Sequence, residues 1–263
     1  MNILDKIVAD KKTEVDLKKS MVSEKELEKF PLFDRETISL RDNIENSTYG
    51  IIAEHKRRSP SKSVINLSLN VFDVARGYEN AGASGMSVLT DGKYFGGSLT
   101  DLMLARASCD LPLLRKEFII ESYQITEAKA YGADVILLIA SILSKNEIID
   151  FSKQAKSLGM EVLMEIHNEE ELKKCLMPNI DMMGVNNRNL KTFEVNLEIS
   201  KALSKLIPDD FTKVSESGIS NIRAIKELSE FGYKGYLIGE NFMKTDDAGK
   251  AAKEFISNLY ETY

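Results

Sequence analysis

The chain has 263 residues, 43% hydrophobic and 29% charged, with 35 basic against 41 acidic side chains for a formal net charge of −6. That balance describes a folded globular chain and excludes intrinsic disorder and a general nucleic-acid binder, which needs a net basic footprint. Only Cys109 and Cys175 are present, which excludes a disulfide scaffold and points to a reducing compartment.

The N-terminal stretch MNILDKIVADKKTEVDLKK carries acids among its bases and no apolar core, so it is not a signal peptide. Leu4, Ile7 and Val8 fall at helical spacing, and Glu24, Lys25, Glu26, Glu28 and Lys29 add a charged face. Residues 1–45 are predicted as a helical extension, either a solvated helix packed on a larger body or a flap over a binding face. No run reaches the ~18 apolar residues that cross a bilayer, so the expected location is cytoplasmic, with no membrane partner.

From residue 50 onward short β-rich runs alternate with helical stretches. The runs are Ile51–Ala53, Met86–Leu89, Leu113-Leu114, Val135–Ile139, Val162–Met164, Met182–Val185, Thr212–Val214 and Gly235–Ile238. Helices are predicted over 74–81, 99–107, 122–131, 146–158, 169–176, 197–206, 221–231 and 247–259, and Asn168 with Glu171 reads as a capping box. Gly82-Ala83, Gly132-Ala133 and Gly232-Tyr233 have the form of helix ends feeding strands. Strand–helix units in this number, without hairpin signals, predict a (β/α)8 barrel, with residues 1–263 as one domain. A doubly wound sheet is the rival, but no G-x-G-x-x-G follows the first strand and no Walker A pattern occurs.

In such barrels chemistry sits where strands end. The first strand runs into Glu54-His55-Lys56, whose alternation places Glu54 and Lys56 on one face. Further ends carry Lys116, Glu165, Asn186 with Arg188, and Glu216. Charged and amide groups converging on one mouth mark an active site. Ser217-Gly218 and Gly239-Glu240 follow the last two strands, where backbone N–H groups of this fold commonly hold phosphate.

The segments IIAEHKRRSPSKS (51–63), PLLRKEFIIESYQI (112–125) and GVNNRNLKTFEVNLE (184–198) resemble motifs of the indole-3-glycerol-phosphate synthase family. Five further segments match it in order, across about 190 residues: SVLTDGKYFGGS, GADVILLIASIL, EVLMEIHNEEEL, VSESGIS and LIGENFM. The resemblance implies a (β/α)8 barrel with an N-terminal helical extension. It implies a lyase that converts 1-(2-carboxyphenylamino)-1-deoxyribulose 5-phosphate into indole-3-glycerol phosphate, CO2 and water, with no metal or organic cofactor. The family's functional positions fall on Glu54, Lys56, Ser59, Lys116, Glu165, Asn186, Arg188, Glu216 and Ser217. His55, Glu117, Phe72-Asp73-Val74 and Ser63 depart from the family pattern without removing a catalytic group. Ser63 replaces a frequent glycine and bears on the mobility of the first loop.

Lys116 is the expected acid for ring closure, and Phe118 a wall for the aromatic ring. Glu54 as base and Lys56 as acid suit the dehydration, with Glu165 as the alternative base or a stabiliser of cationic intermediates. Ser59, Asn186, Arg188 and Glu216 are expected to bind substrate, and Ser217, Gly218, Gly239 and Glu240 its phosphate. The two histidines and two cysteines lie in no metal-ligand spacing, so no metal is expected and these four residues read as structural. The expected partner is a small phosphorylated molecule, with no nucleic acid, and a monomer is compatible with the pattern. A phosphoribosylanthranilate isomerase would carry a cysteine at the end of the first strand, where Glu54 and Lys56 stand here. A non-catalytic phosphate-binding barrel would have lost the acid and base groups, and an aldolase reading would rest on Lys213.

Overall fold

A computed structural model describes residues 3–189 and 192–261. Eight parallel strands close into a barrel: β1 Gly50–His55, β2 Gly85–Leu89, β3 Leu113–Lys116, β4 Val135–Ile139, β5 Glu161–Ile166, β6 Met182–Asn186, β7 Thr212–Glu216 and β8 Gly235–Ile238. Each strand pairs with its sequence neighbour, and β8 returns to β1 with Gly50 beside Gly235. Helices fill every connection, as expected for a (β/α)8 barrel.

The apolar runs build this sheet because both faces are buried. Alternate residues then sort into two cores. Ile52, Leu114, Val135, Leu137, Leu163, Met182, Val214 and Leu237 form the lumen cluster. Their neighbours Ile51, Ala53, Leu113, Ile136, Val162, Met164, Met183 and Ile238 pack outward in the second cluster, against the helix ring. The same alternation decides which side chains reach the C-terminal mouth. Two residues beyond Ile52 is Glu54, beyond Leu114 is Lys116, beyond Leu163 is Glu165, and beyond Val214 is Glu216. Leu40 and Ile44, on the helix Leu40–Glu45, join the lumen cluster from the N-terminal segment.

Several boundaries differ from the sequence reading by one to three residues, for local reasons. The helix expected from Val74 starts at Val71, because the Asn70 side chain accepts the Asp73 N–H and caps it there. Two four-residue helices, Gly92–Phe95 and Glu240–Met243, are too short for periodicity to reveal. At Asn168 the box is only half closed. The Asn168 side chain accepts the Glu171 N–H at 2.9 Å, but the Glu171 carboxylate accepts the Asn168 side-chain amide (3.2 Å) and the His167 N–H (2.8 Å) in place of the Asn168 N–H.

The N-terminal segment forms three helices, Ile3–Met21, Glu24–Leu27 and Leu40–Glu45. Lys11, only 1% exposed, joins the first of them to the barrel: its ammonium lies 3.0 Å from Asp91, 3.1 Å from Glu117 and 2.7 Å from Glu14. Glu117 thus anchors the extension.

Helix Val71–Asn80 meets the C-terminal helix Ala248–Glu261 through glycine. A methyl group on Gly77 would lie 2.7 Å from the Gly249 Cα, a backbone atom that cannot rotate away. Gly77→Ala is expected to cost about 1–3 kcal/mol by overpacking. A thermal midpoint unchanged by the substitution would show that the two helices separate freely.

Candidate active site

One cavity of about 390 Å³ occupies the barrel mouth, and its lining includes every residue expected from the sequence to act there. Glu54, Lys56, Lys116, Glu165, Asn186 and Glu216 lie around its floor, with Ser59 and Arg188 on the loops after β1 and β6. Of the sixth family-like segment, residues 190 and 191 lie outside the described residues.

The floor is a chain of alternating charges. The Lys116 ammonium sits between Glu165, at 3.1 Å, and Glu216, with which it makes a shorter hydrogen bond. Lys56 pairs with Glu54 at 2.5 Å. Burial disfavours the charged form of Lys116, but the charges of Glu216, Glu165 and Glu54 outweigh it and hold the group well above the ordinary lysine value. Burial also opposes ionisation of Glu165, yet Lys116 and His167 keep this carboxyl below its usual value. Glu216 goes the other way: burial pushes it up to about 6, with the neighbouring Glu165 adding to the shift and Lys116 opposing it. Its buried Oε1 has no hydrogen-bond partner.

Glycine makes the floor fit. A Cβ at Gly184 would strike Glu216 Oε1, and one at Gly239 would come within 2.5 Å of Glu54 Oε1. Gly239 therefore gives the Glu54 carboxylate its space, in addition to opening the turn after β8.

One side of the cavity carries the two phosphate-type turns, Ser217–Ser220 and Gly239–Asn241. Ser217 and Gly218 are both left-handed, with φ of 67° and 77°. For serine that conformation costs about 1–3 kcal/mol and persists where surrounding structure enforces it, often at functional sites. Asn187 does the enforcing. Buried and pointing away from the lumen, its amide donates to the carbonyl oxygens of Glu216 (3.0 Å) and Ser217 (3.2 Å) and to Ser215 Oγ (2.9 Å). The Glu240 side chain faces Lys62 at 2.8 Å, so this residue offers the cavity its backbone.

The opposite side is apolar. Phe118 and Phe95 lie with ring centroids 5.9 Å apart, and Leu137, Ile139, Ile7, Leu4 and Ile3 complete that wall. Ile3, Leu4 and Ile7 thus bring the N-terminal helix into the cavity wall. Sequence reasoning placed Phe118 but missed Phe95, Asn187 and the contribution of individual residues from that helix.

The residues read as structural are elsewhere, with one exception. Cys109 and Cys175 are buried outside the cavity, and burial raises both thiols, Cys175 to about 12. Neither stands at the end of β1, as the isomerase alternative requires. Lys213 points outward from β7 toward Asp209, at 3.3 Å. His55 also points outward, and burial with Arg57 nearby pushes it down to about 4, so it is neutral. His167 is the exception. It stands directly behind Glu165, with Nε2 at 3.6 Å from Glu165 Oε1. Among the described residues, no cluster of three or more histidine, cysteine or acidic side chains is arranged to hold a metal ion, and no helix is long and apolar enough to cross a membrane.

Comparison with known proteins agrees with this geometry. The sequence model of the family described as "Indole-3-glycerol phosphate synthase" matches residues 4–255. The indole-3-glycerol phosphate synthase of Bacteroides thetaiotaomicron is 45% identical over 258 residues, covering 98% of this chain and 99% of that protein. That of Aliarcobacter butzleri is 40% identical, covering 98% and 99%. Among solved structures, 3-hexulose-6-phosphate synthase from Salmonella typhimurium shares the fold with a TM-score of 0.65, at 12% identity, over 81% of this chain and all of that one. With a matching family model and close relatives both spanning nearly its full length, the chain belongs to the indole-3-glycerol phosphate synthase family.

Proposed function

We propose that the barrel and its N-terminal helices act as one unit, and that the alternating charges on the cavity floor carry the family's reaction. The chain is a carboxy-lyase of tryptophan biosynthesis. It closes the ring of 1-(2-carboxyphenylamino)-1-deoxyribulose 5-phosphate and releases CO2 and water to give indole-3-glycerol phosphate. The observation that carries the assignment of roles is Lys116, an ammonium held between two carboxylates, with an apolar wall on one side and the two anion-type turns on the other.

The phosphate is held by backbone donors of Ser217-Gly218 and Gly239-Glu240, and the aromatic ring lies against Phe118 and Phe95. That pose sets the carbonyl over the floor. As the ring carbon attacks C2′, the carbonyl oxygen becomes an alkoxide, a far stronger base than an amine, and takes a proton from Lys116. Loss of CO2 restores the aromatic ring. In the dehydration Glu54 removes the proton on the C1′ side while Lys56 protonates the departing hydroxyl. Their 2.5 Å ion pair places acid and base together. Glu165 holds Lys116 and stabilises positive charge on the ring nitrogen. Asn186, Arg188, Ser59 and Glu216 orient the substrate, since a guanidinium does not give up its proton. The reaction is set in the cytoplasm, with a small phosphorylated molecule as substrate.

Incubating the purified protein with the carboxyphenylamino-deoxyribulose phosphate and following indole fluorescence tests this reading. Product is expected to appear at a rate proportional to protein. A folded protein that forms none overturns it.

A further inference from the structure

We propose that His167 is a positioning residue for the reaction, holding Glu165 in place through its Nε2 while Glu171 fixes the ring from behind. The inference rests on the role given above to the Glu165–Lys116 pair.

The geometry is a relay that leaves the cavity floor. Glu165 Oε2 faces Lys116 at 3.1 Å, and its other oxygen faces His167 Nε2 at 3.6 Å. On the far side of the ring, Nδ1 lies 3.2 Å from Glu171 Oε2, the same oxygen that accepts the His167 backbone N–H. Glu171 sits in the first turn of helix Glu169–Cys175. The displaced half of the capping box thus clamps the backbone and the ring of His167 together. Nε2 is buried and has no hydrogen-bond partner of its own, and it faces the Glu165 carboxylate.

The ring is surrounded by negative charge. Glu165 faces it from β5, Glu171 from the following helix and Glu216 from β7. The cations lie one step removed, Lys116 beyond Glu165 and Lys174 beside Glu171. Burial disfavours the imidazolium, but the hydrogen bond to Glu171 and these three carboxylates prevail, and the group titrates above the ordinary histidine value. Charged, His167 attracts Glu165 Oε1 and fixes the carboxylate that aligns Lys116. When the ring loses its proton, Glu171 retains the Nδ1–H, and the bare Nε2 lone pair faces Glu165. Attraction becomes repulsion, and the carboxylate is released from its position.

The test compares His167→Leu, His167→Gln and Glu171→Gln with the unaltered chain, measuring kcat, KM and thermal midpoint across pH. His167→Leu removes the contact and is expected to lower kcat by about ten- to a hundredfold, the scale of a small misplacement at a reacting centre, with KM within about threefold. His167→Gln retains a donor that does not titrate, so it is expected to recover most of the kcat and to lose the fall in rate above neutral pH. Glu171→Gln weakens the clamp without touching the floor and is expected to move that fall to lower pH. This last variant decides the matter even where His167→Leu does not fold. Wild-type kcat and pH profiles in Glu171→Gln and in the folded His167 variants would refute the positioning role. Absence of product from the unaltered chain would instead refute the reading of the site itself.

Discussion

Lys116→Met is expected to lower kcat by about a hundredfold or more, the lower end of the range for a removed acid or base, with a much smaller change in KM. The ammonium strengthens its interaction with the carbonyl oxygen chiefly as negative charge builds there, so its loss is felt in the transition state more than in binding. Methionine keeps most of the stem that packs against the lumen. It leaves Glu165 and Glu216 facing each other with no cation between them, 3.1 Å from the former ammonium in one case and closer in the other. One of the two then takes up a proton, and Glu216, already raised to about 6, is the one expected to do so. A lysine with a purely structural role would show the opposite pattern, a lower thermal midpoint with kcat per folded molecule unchanged. Measuring kcat, KM and the midpoint on one preparation separates the two. Wild-type kcat in the folded variant would remove Lys116 from the chemistry and leave Lys56 as the acid.

Glu54→Gln is expected to stop the last step rather than the first, with a loss of about a hundred- to ten-thousandfold in formation of the indole product. The substitution is close to isosteric, so the space that Gly239 leaves beside residue 54 stays filled. It neutralises the partner of Lys56, whose ammonium lies 2.5 Å from Glu54 in the unaltered site. If Glu54 is the base of the dehydration, CO2 release should continue for about one turnover per site while indole fluorescence stays low. A quenched single-turnover experiment that follows both signals is the direct check. Parallel loss of the two would place Glu54 before decarboxylation. Unchanged rates would assign the base to Glu165.

The charged cavity floor is legible in the sequence because a strand has a period of two. Once Ile52, Leu114, Leu163 and Val214 are recognised as lumen residues, Glu54, Lys116, Glu165 and Glu216 must come after them into the barrel mouth. Gly218 and Gly239 are legible as turn residues directly after β7 and β8. What escaped is what strand parity does not encode. Phe95 belongs to a helix of four residues, below the length at which periodicity is measurable. Asn187 lies on the outward parity, where a buried amide reads as packing, although it secures the backbone of Glu216 and Ser217 from behind. The left-handed φ of Ser217 has no signature, because serine does not announce that conformation as glycine does. The position of His167 behind Glu165 is equally invisible to parity, because its ring is set by Glu171, whose carboxylate accepts the His167 N–H one residue before the usual capping position.

The part of the cavity wall contributed by Ile3, Leu4 and Ile7, tied down through the buried Lys11, has a thermodynamic corollary. A ligand that fills the cavity touches both the barrel and the helix Ile3–Met21, so its affinity and the docking of that helix are reciprocal quantities. Whatever factor the docked helix adds to ligand affinity, the ligand returns as protection of the helix against opening. Amide hydrogens along residues 3–21 should therefore exchange more slowly in a product-saturated sample, and a protease that nicks this segment should find its target withdrawn in proportion to occupancy. Binding in the barrel mouth would thus be recorded at the far end of a helix that carries none of the reacting groups.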